Sequence, residues 1–373
     1  MRATTIRRRR IAIGAACGLA IGAFAFGAAL GYGPSPSPSP QPSVASQLSV
    51  SRLAGQRIVV GFAGGEAPSA VKRMIRDGKV AGVILFAENF PSRAGRHLVR
   101  RLQAIRRPAG LRSPLLVMVD QEGGLVKRID GAPAVSAAQM GSRGAAFSRA
   151  QGRATAANLS DVGVNVDLAP VLDVARPGGT IAETERGFGS TAARVSATAV
   201  PFAEGLRDGG VAATAKHFPG LGAAGESTDF AVQRIDLSKR ELRTVDEAPY
   251  RDFIAFGGEL VMLSTAIYPV FSSKPAAFSR PIATGELRSR LGFEGVSITD
   301  ALETVAVEDF GGPDKAGLAA ARAGTDLLLF TDFRAGESAR LALLRGLRAG
   351  RLDRAAFEES VGRVLRLRQR FAG

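Results

Sequence analysis

The chain has 373 residues, 46% hydrophobic and 22% charged, which is enough apolar side chain to bury a sizeable core and excludes global disorder. Its one cysteine, Cys17, excludes an internal disulfide or a thiolate metal cluster, and its two histidines, His97 and His217, have no ligand-like spacing, so no metal site is expected. The formal charge of +15 raises nucleic acid as a partner, but Lys and Arg are scattered and not interleaved with aromatics as a stacking platform requires, so no nucleic-acid binding is expected; an anionic cell-wall polymer suits the charge better, as does a plain arginine-rich bias.

Residues 1–10 read as a basic cytoplasmic tail: Arg2 and Arg7 to Arg10 supply five positive charges with no acidic residue near them, leaving a formal +10 on the rest. Residues 11–30 form an uninterrupted apolar stretch of twenty residues, long enough to span a bilayer with the basic end in the cytoplasm. It reads as a membrane anchor or a signal segment. Its length and the lack of a clean small-x-small cleavage site favour the anchor, and either way the bulk of the chain is expected outside the cytoplasm. Gly14-Ala15-Ala16 lacks the usual leucine of a lipidation site before Cys17. Residues 31–47 are a Pro/Ser-rich linker, whose alternation from Pro34 to Ser43 favours extended polyproline conformation, a spacer roughly 30 Å long.

Over residues 48–373, short β-branched or apolar runs alternate with segments of helical period, the pattern of repeated βα units. Eight runs read as strands: 57–62, 80–86, 115–119, 163–168, 211–215, 259–264, 295–299 and 325–330. Eight suggests a closed barrel, an α/β fold of the single (β/α)8 TIM type, although periodicity alone also permits an open doubly wound sheet. Polar residues fall just past those runs, at Glu88-Asn89, Asp120-Gln121-Glu122, Asp173, Lys216-His217, Ser264, Asp300 and Asp332, and barrel enzymes build their sites at that face. The last helical stretch, Arg354 to Phe371, reads as a helix closing the outer ring.

Three of these runs suit chemistry. Asp300 ends an apolar strand and suits a nucleophile attacking an oxocarbenium-like centre; a helix N-cap is the bland alternative. Lys216-His217, before the break at Pro219-Gly220, offers donors for vicinal sugar hydroxyls. Asp120-Gln121-Glu122-Gly123-Gly124, with Arg128 a few residues on, lets backbone approach a ligand closely, or is simply a tight turn.

Taken together, D-Q-E-G-G-x-V-x-R at 120–128, N-V-D-L-A-P-V-L-D-V at 165–174, E-R-G-F-G at 185–189, K-H-F-P-G-x-G at 216–222 and T-D-A-L at 299–302 resemble glycoside hydrolase family 3, most of all its bacterial β-N-acetylhexosaminidase branch. The resemblance implies a retaining hydrolase without cofactor that removes terminal β-linked N-acetylglucosamine, or a related hexose, often from peptidoglycan fragments. It makes Asp300 the nucleophile, and Asp120, Arg128, Arg186, Lys216 and His217 sugar-binding residues. The chain is expected to act as a monomer.

One departure stands out. That branch carries D-S-H in the loop after K-H-F-P-G-H-G, and the histidine serves as acid/base; here Leu221 replaces the first histidine of that stretch and Ser227-Thr228-Asp229 occupies the loop. Asp229 is therefore the expected acid/base, since a carboxyl group can donate a proton if burial or a nearby anion raises its pKa. The alternative is a catalytically impaired barrel that binds glycans at the cell surface.

Overall fold

A computed structural model describes residues 43–90 and 94–372. The proposed tail and anchor, and most of the linker, lie outside the described residues; among the described ones no helix is long and apolar enough to cross a membrane.

Eight strands form one parallel sheet: β1 Ile58–Val60, β2 Gly82–Ile84, β3 Leu116–Val119, β4 Val166–Asp167, β5 Ala212–Phe218, β6 Leu260–Leu263, β7 Val296–Thr299 and β8 Leu328–Phe330. From β1 to β7 each strand pairs with the next, and β1 also pairs with β8. The ring is completed where Leu327, just ahead of β8, donates its amide to Ser297 of β7 at 2.9 Å and accepts from Thr299 at 3.0 Å. The closed barrel is thus the outcome, and all eight strands fall within or across the expected runs.

Strand side chains alternate between two buried layers, as a pleat with both faces covered requires. Val59, Leu116, Met118, Val166, Ala212, Leu260, Met262, Val296, Ile298 and Leu329 fill the barrel interior, whereas Ile58, Val60, Val117, Val119, Val261, Leu263, Leu328 and Phe330 pack outward against the helices. Those helices are α1 Ser69–Asp77, α2 Ala94–Ala104, α3 Ala145–Val162, α4 Ala192–Asp208, α5 Ala248–Ala255, α6 Pro281–Arg290 (wound as a π-helix), α7 Gly312–Ala323 and α8 Phe333–Arg348. Their ends carry local signals. Thr191 caps α4 by accepting the Arg194 amide, Asp332 caps α8 by accepting those of Arg334 and Ala335, and α3 stops at Gly163, whose φ of 85° suits a residue without Cβ.

A ninth helix, α9 Arg354–Gln369, does more than extend the outer ring. Val364 and Leu367 join the interior cluster, while Phe357, Val361 and Leu365 join the outer one, so α9 forms the floor of the barrel at the N-terminal ends of the strands. Arg368 fixes it there. This fully buried guanidinium donates to the carbonyls of Ser113 (2.6 Å), Pro114 (2.9 Å) and Leu111 (3.0 Å), and to the Gln56 side chain. Its carbonyl partners belong to the segment that leads into β3.

Replacing Arg368 with Met would orphan those buried acceptors and should destabilise the fold by about 3 kcal/mol. Urea unfolding at neutral pH would measure this. A loss near zero would mean that α9 is held by its apolar contacts alone.

Candidate active site

The inward register of the strands continues past their C-terminal ends and decides which polar residues meet. Counting on in twos from Met118 reaches Asp120, from Ala212 through Thr214 reaches Lys216, and from Ile298 reaches Asp300. All three line one cleft of ≈ 330 Å³ at that end of the barrel. Arg128, Arg186, His217 and Asp229 line it too, so all seven residues singled out from the sequence converge on one space.

The floor of the cleft is a compact charge network. The buried Lys216 ammonium sits 2.7 Å from both Asp120 Oδ1 and Glu122 Oε1. Arg186 closes the cluster with a bidentate pair on Glu122, both contacts at 2.8 Å. Burial alone would raise the Glu122 carboxyl, but Arg186 and Lys216 outweigh it and hold it well below the usual carboxylate range. Lys216 is pulled the other way by the same contacts: burial opposes its charge, yet Asp120 and Glu122 raise its pKa. Beneath them Asp167 is pushed well above its ordinary value, chiefly by burial, with Asp120 and Glu122 adding repulsion.

His217 is oriented by Asp173. The ring Nδ1 lies 2.7 Å from Asp173 Oδ2, while Oδ1 accepts the amides of His217 (3.1 Å) and Leu221 (2.7 Å). One carboxylate therefore fixes both the imidazole and the turn that follows it. That turn needs Gly222, where a Cβ would sit 1.9 Å from the Val174 carbonyl oxygen.

Asp300 does not cap a helix. One oxygen accepts the neighbouring Ala301 amide at 2.8 Å, and the next helical turn, Val305–Glu308, starts instead at Thr304. Burial raises the Asp300 pKa, the Asp229 charge adds to this, and His217 and Lys216 oppose it. Asp229 itself stands on an exposed turn, its carboxylate accepting from the Ser227 hydroxyl at 3.2 Å. Arg128 keeps its Nε without a partner, and Gln121 braces its loop by accepting the Arg128 and Ile129 amides and donating to the Ile129 and Ala132 carbonyls.

Other strand-end polar residues have structural tasks. Asn89 is buried and bonds to Phe86, Phe62 and Gly64 backbone, Ser264 accepts the Ala266 amide, Asp332 is a cap, and Glu88 is exposed. Glu303 was missed by counting strand ends. It lines the cleft and accepts the Thr331 and Asp332 amides at 3.1 and 3.0 Å, tying the loop after β7 to that after β8. Burial pushes its pKa up to about 6. The only sequence signal was its place three residues after Asp300. Among the described residues no group of acidic, His or Cys side chains could hold a metal ion.

The family model for the glycosyl hydrolase family 3 N-terminal domain matches residues 47–367. An "Uncharacterized secreted glycosyl hydrolase" of Arthroderma benhamiae is 40% identical over 340 residues, 88% of this chain and 96% of that protein. A protein named beta-hexosaminidase from Thioalkalivibrio sulfidiphilus is 36% identical over 270 residues, 69% of this chain and 75% of the other. Among solved structures, a family 3 beta-N-acetylglucosaminidase from Paenibacillus sp. superposes with a TM-score of 0.83 at 33% identity over 87% of this chain, which spans 63% of that protein. A beta-N-acetylhexosaminidase from Beutenbergia cavernae gives 0.77 at 31% identity, over 86% of this chain and 98% of the other.

Changing Glu122 to Gln would leave Lys216 and Arg186 short of a counter-charge and should cost roughly 3–5 kcal/mol of stability at pH 7. Because the folded state depresses the Glu122 pKa, the ion pair contributes fully above the ordinary glutamate value of about 4.3 and less as pH falls below it. Denaturant titrations of both proteins should therefore show a gap that narrows towards pH 3. A gap independent of pH would contradict the assigned ionisation.

Proposed function

This chain belongs to glycosyl hydrolase family 3 and is a glycosidase, and from that premise we propose that it removes terminal β-linked N-acetylglucosamine from glycans by a retaining mechanism, with Asp300 as nucleophile. The observation that carries this reading is the meeting, in one cleft, of Asp300 with Lys216, His217, Asp120, Arg128 and Arg186, contributed by separate strand ends. The cationic and acidic groups bind and orient the hydroxyls of the terminal sugar. The Asp300 carboxylate attacks the anomeric carbon and the glycosidic oxygen leaves; water then attacks the glycosyl-enzyme and frees Asp300.

Asp229 is the proposed acid/base. Its place in the cleft wall and its electrostatic influence on Asp300 support that role, in which it protonates the leaving oxygen and later takes a proton from the attacking water. Closure of the glycine-containing loop around Gly225 would bring its exposed carboxylate over the substrate. Export is the proposed location, with residues 11–30 as the anchor and cell-wall-derived glycans as the source of substrate; a relative described as secreted supports the extracellular side. We further propose that the protein works as a monomer.

A panel of aryl β-glycosides, including the N-acetylglucosaminide and the glucoside, tests the reading. Turnover of the N-acetylglucosaminide should fall by at least about a thousandfold in Asp300→Asn, with folding preserved by circular dichroism; lack of turnover on every member by the natural sequence would sink the hydrolase. The raised Asp300 pKa means that activity is lost as pH falls through a value above the ordinary aspartate pKa of about 3.9. The acid limb of kcat/KM should lie there.

Asp229→Ala should spare aryl glycosides with good leaving groups and cripple hydrolysis of natural disaccharides, because a good leaving group needs little protonation. Equal losses on both substrates would remove Asp229 from the acid role.

A further inference from the structure

At the opposite end of the barrel from the catalytic cleft lies a second cavity of ≈ 430 Å³, between α6, the end of α7 and the first turns of α9. Six arginines line it: Arg57, Arg280, Arg288, Arg322, Arg351 and Arg363. Against them stand only Asp353 and Glu359 in the wall, and the buried Asp326 behind it. Asp326 is already shared, accepting from Arg288, from Arg363 at 2.9 Å, and from the Ser360 hydroxyl at 2.6 Å. Asp353 is committed to capping α9 through the Ala356 amide at 2.7 Å, and Glu359 pairs with Arg363.

Positive charge is left over. Arg57 is fully buried and finds only the carbonyls of Thr325 and Asp326 and the face of Phe357, 4.3 Å away. Burial pushes its pKa down to about 10, with Arg363 and Arg288 pressing the same way against Asp326. The buried Nε of Arg288 has no partner. Among the described residues no hydrogen bond or ion pair engages the Arg280, Arg322 or Arg351 guanidinium, and all three side chains are exposed. Guanidiniums crowded into a concave space are costly unless an anion joins them, and their planar forks match the oxygens of phosphate.

We propose that this cavity binds a phosphate-bearing anion, as a second site remote from hydrolysis. Its chemistry suits a phosphate ester or diester: several guanidinium forks converge on one concave space, and the two carboxylates in its wall are already engaged. Two sources share that chemistry, a free small phosphate and a phosphodiester-linked surface polymer. In the second case the site would hold the barrel to the polymer while the catalytic cleft, at the other end, stays open to glycans.

Calorimetric titration of the full chain with inorganic pyrophosphate at low ionic strength tests the site, with an oligo(glycerol phosphate) as the second ligand. Saturable binding is expected, weakening steeply with salt. The double variant Arg322→Ala/Arg351→Ala, at exposed positions with no partner to orphan, should bind at least about tenfold more weakly, while Arg322→Lys/Arg351→Lys keeps most of the affinity and aryl glycoside hydrolysis is unchanged in both. Tighter binding of the oligomer per phosphate identifies the polymer as the source, and preference for pyrophosphate identifies the small ligand. No saturable binding of either ligand, or equal affinity in the alanine variant, overturns the proposal.

Discussion

The catalytic end of the molecule depends on one buried ammonium ion. Lys216 lies at the end of β5, with less than a twentieth of its surface exposed, and in that position it must be neutral or surrounded by carboxylates. Asp120 and Glu122 supply the charge, and Arg186 balances the excess. Because the first two come from the loop after β3 and the last from the loop after β4, the requirement that Lys216 be compensated also fixes two neighbouring loops relative to β5. The cleft is therefore held open by electrostatics, in a place where apolar side chains would have collapsed it.

Two further ties finish the frame. Asp173 reaches from the loop after β4 to His217, and Glu303 reaches from the loop after β7 to the amides at the end of β8. Each uses a carboxylate to hold backbone N–H groups that would otherwise be unpaired. Asp300 sits between these rigid pieces. The turn carrying Asp229 is the contrast: the Asp229 side chain is exposed, and among the described residues its carboxylate and amide both bond only to the nearby Ser227 hydroxyl, each at 3.2 Å.

Much of this was legible in the sequence because a barrel writes itself in a period of two. Each strand run was short and rich in apolar or β-branched residues, and the first polar residue beyond Met118 and Ile298 on the inward register was one that lines the cleft. The order of the short segments around Lys216-His217 and Asp300 then identified the family. Less local facts were hidden. Nothing near Glu303 shows that its partners lie some thirty residues later, and nothing near Arg368 shows that it answers carbonyls more than 250 residues earlier. The second role of α9 is hidden for the same reason: Val361 and Leu365 pack in the outer layer, but Val364 and Leu367 join the barrel interior.

That floor bears on the order of assembly. Synthesis delivers α9 after all eight strands, yet its residues fill the open end of the barrel and satisfy carbonyls ahead of β3. A chain elongated only as far as β8 can close its ring but must leave the lower mouth wet, with Leu111, Ser113 and Pro114 carbonyls facing solvent. Helix α9 thus acts as a stopper, and the interior is sealed only once it has swung back beneath strands made much earlier.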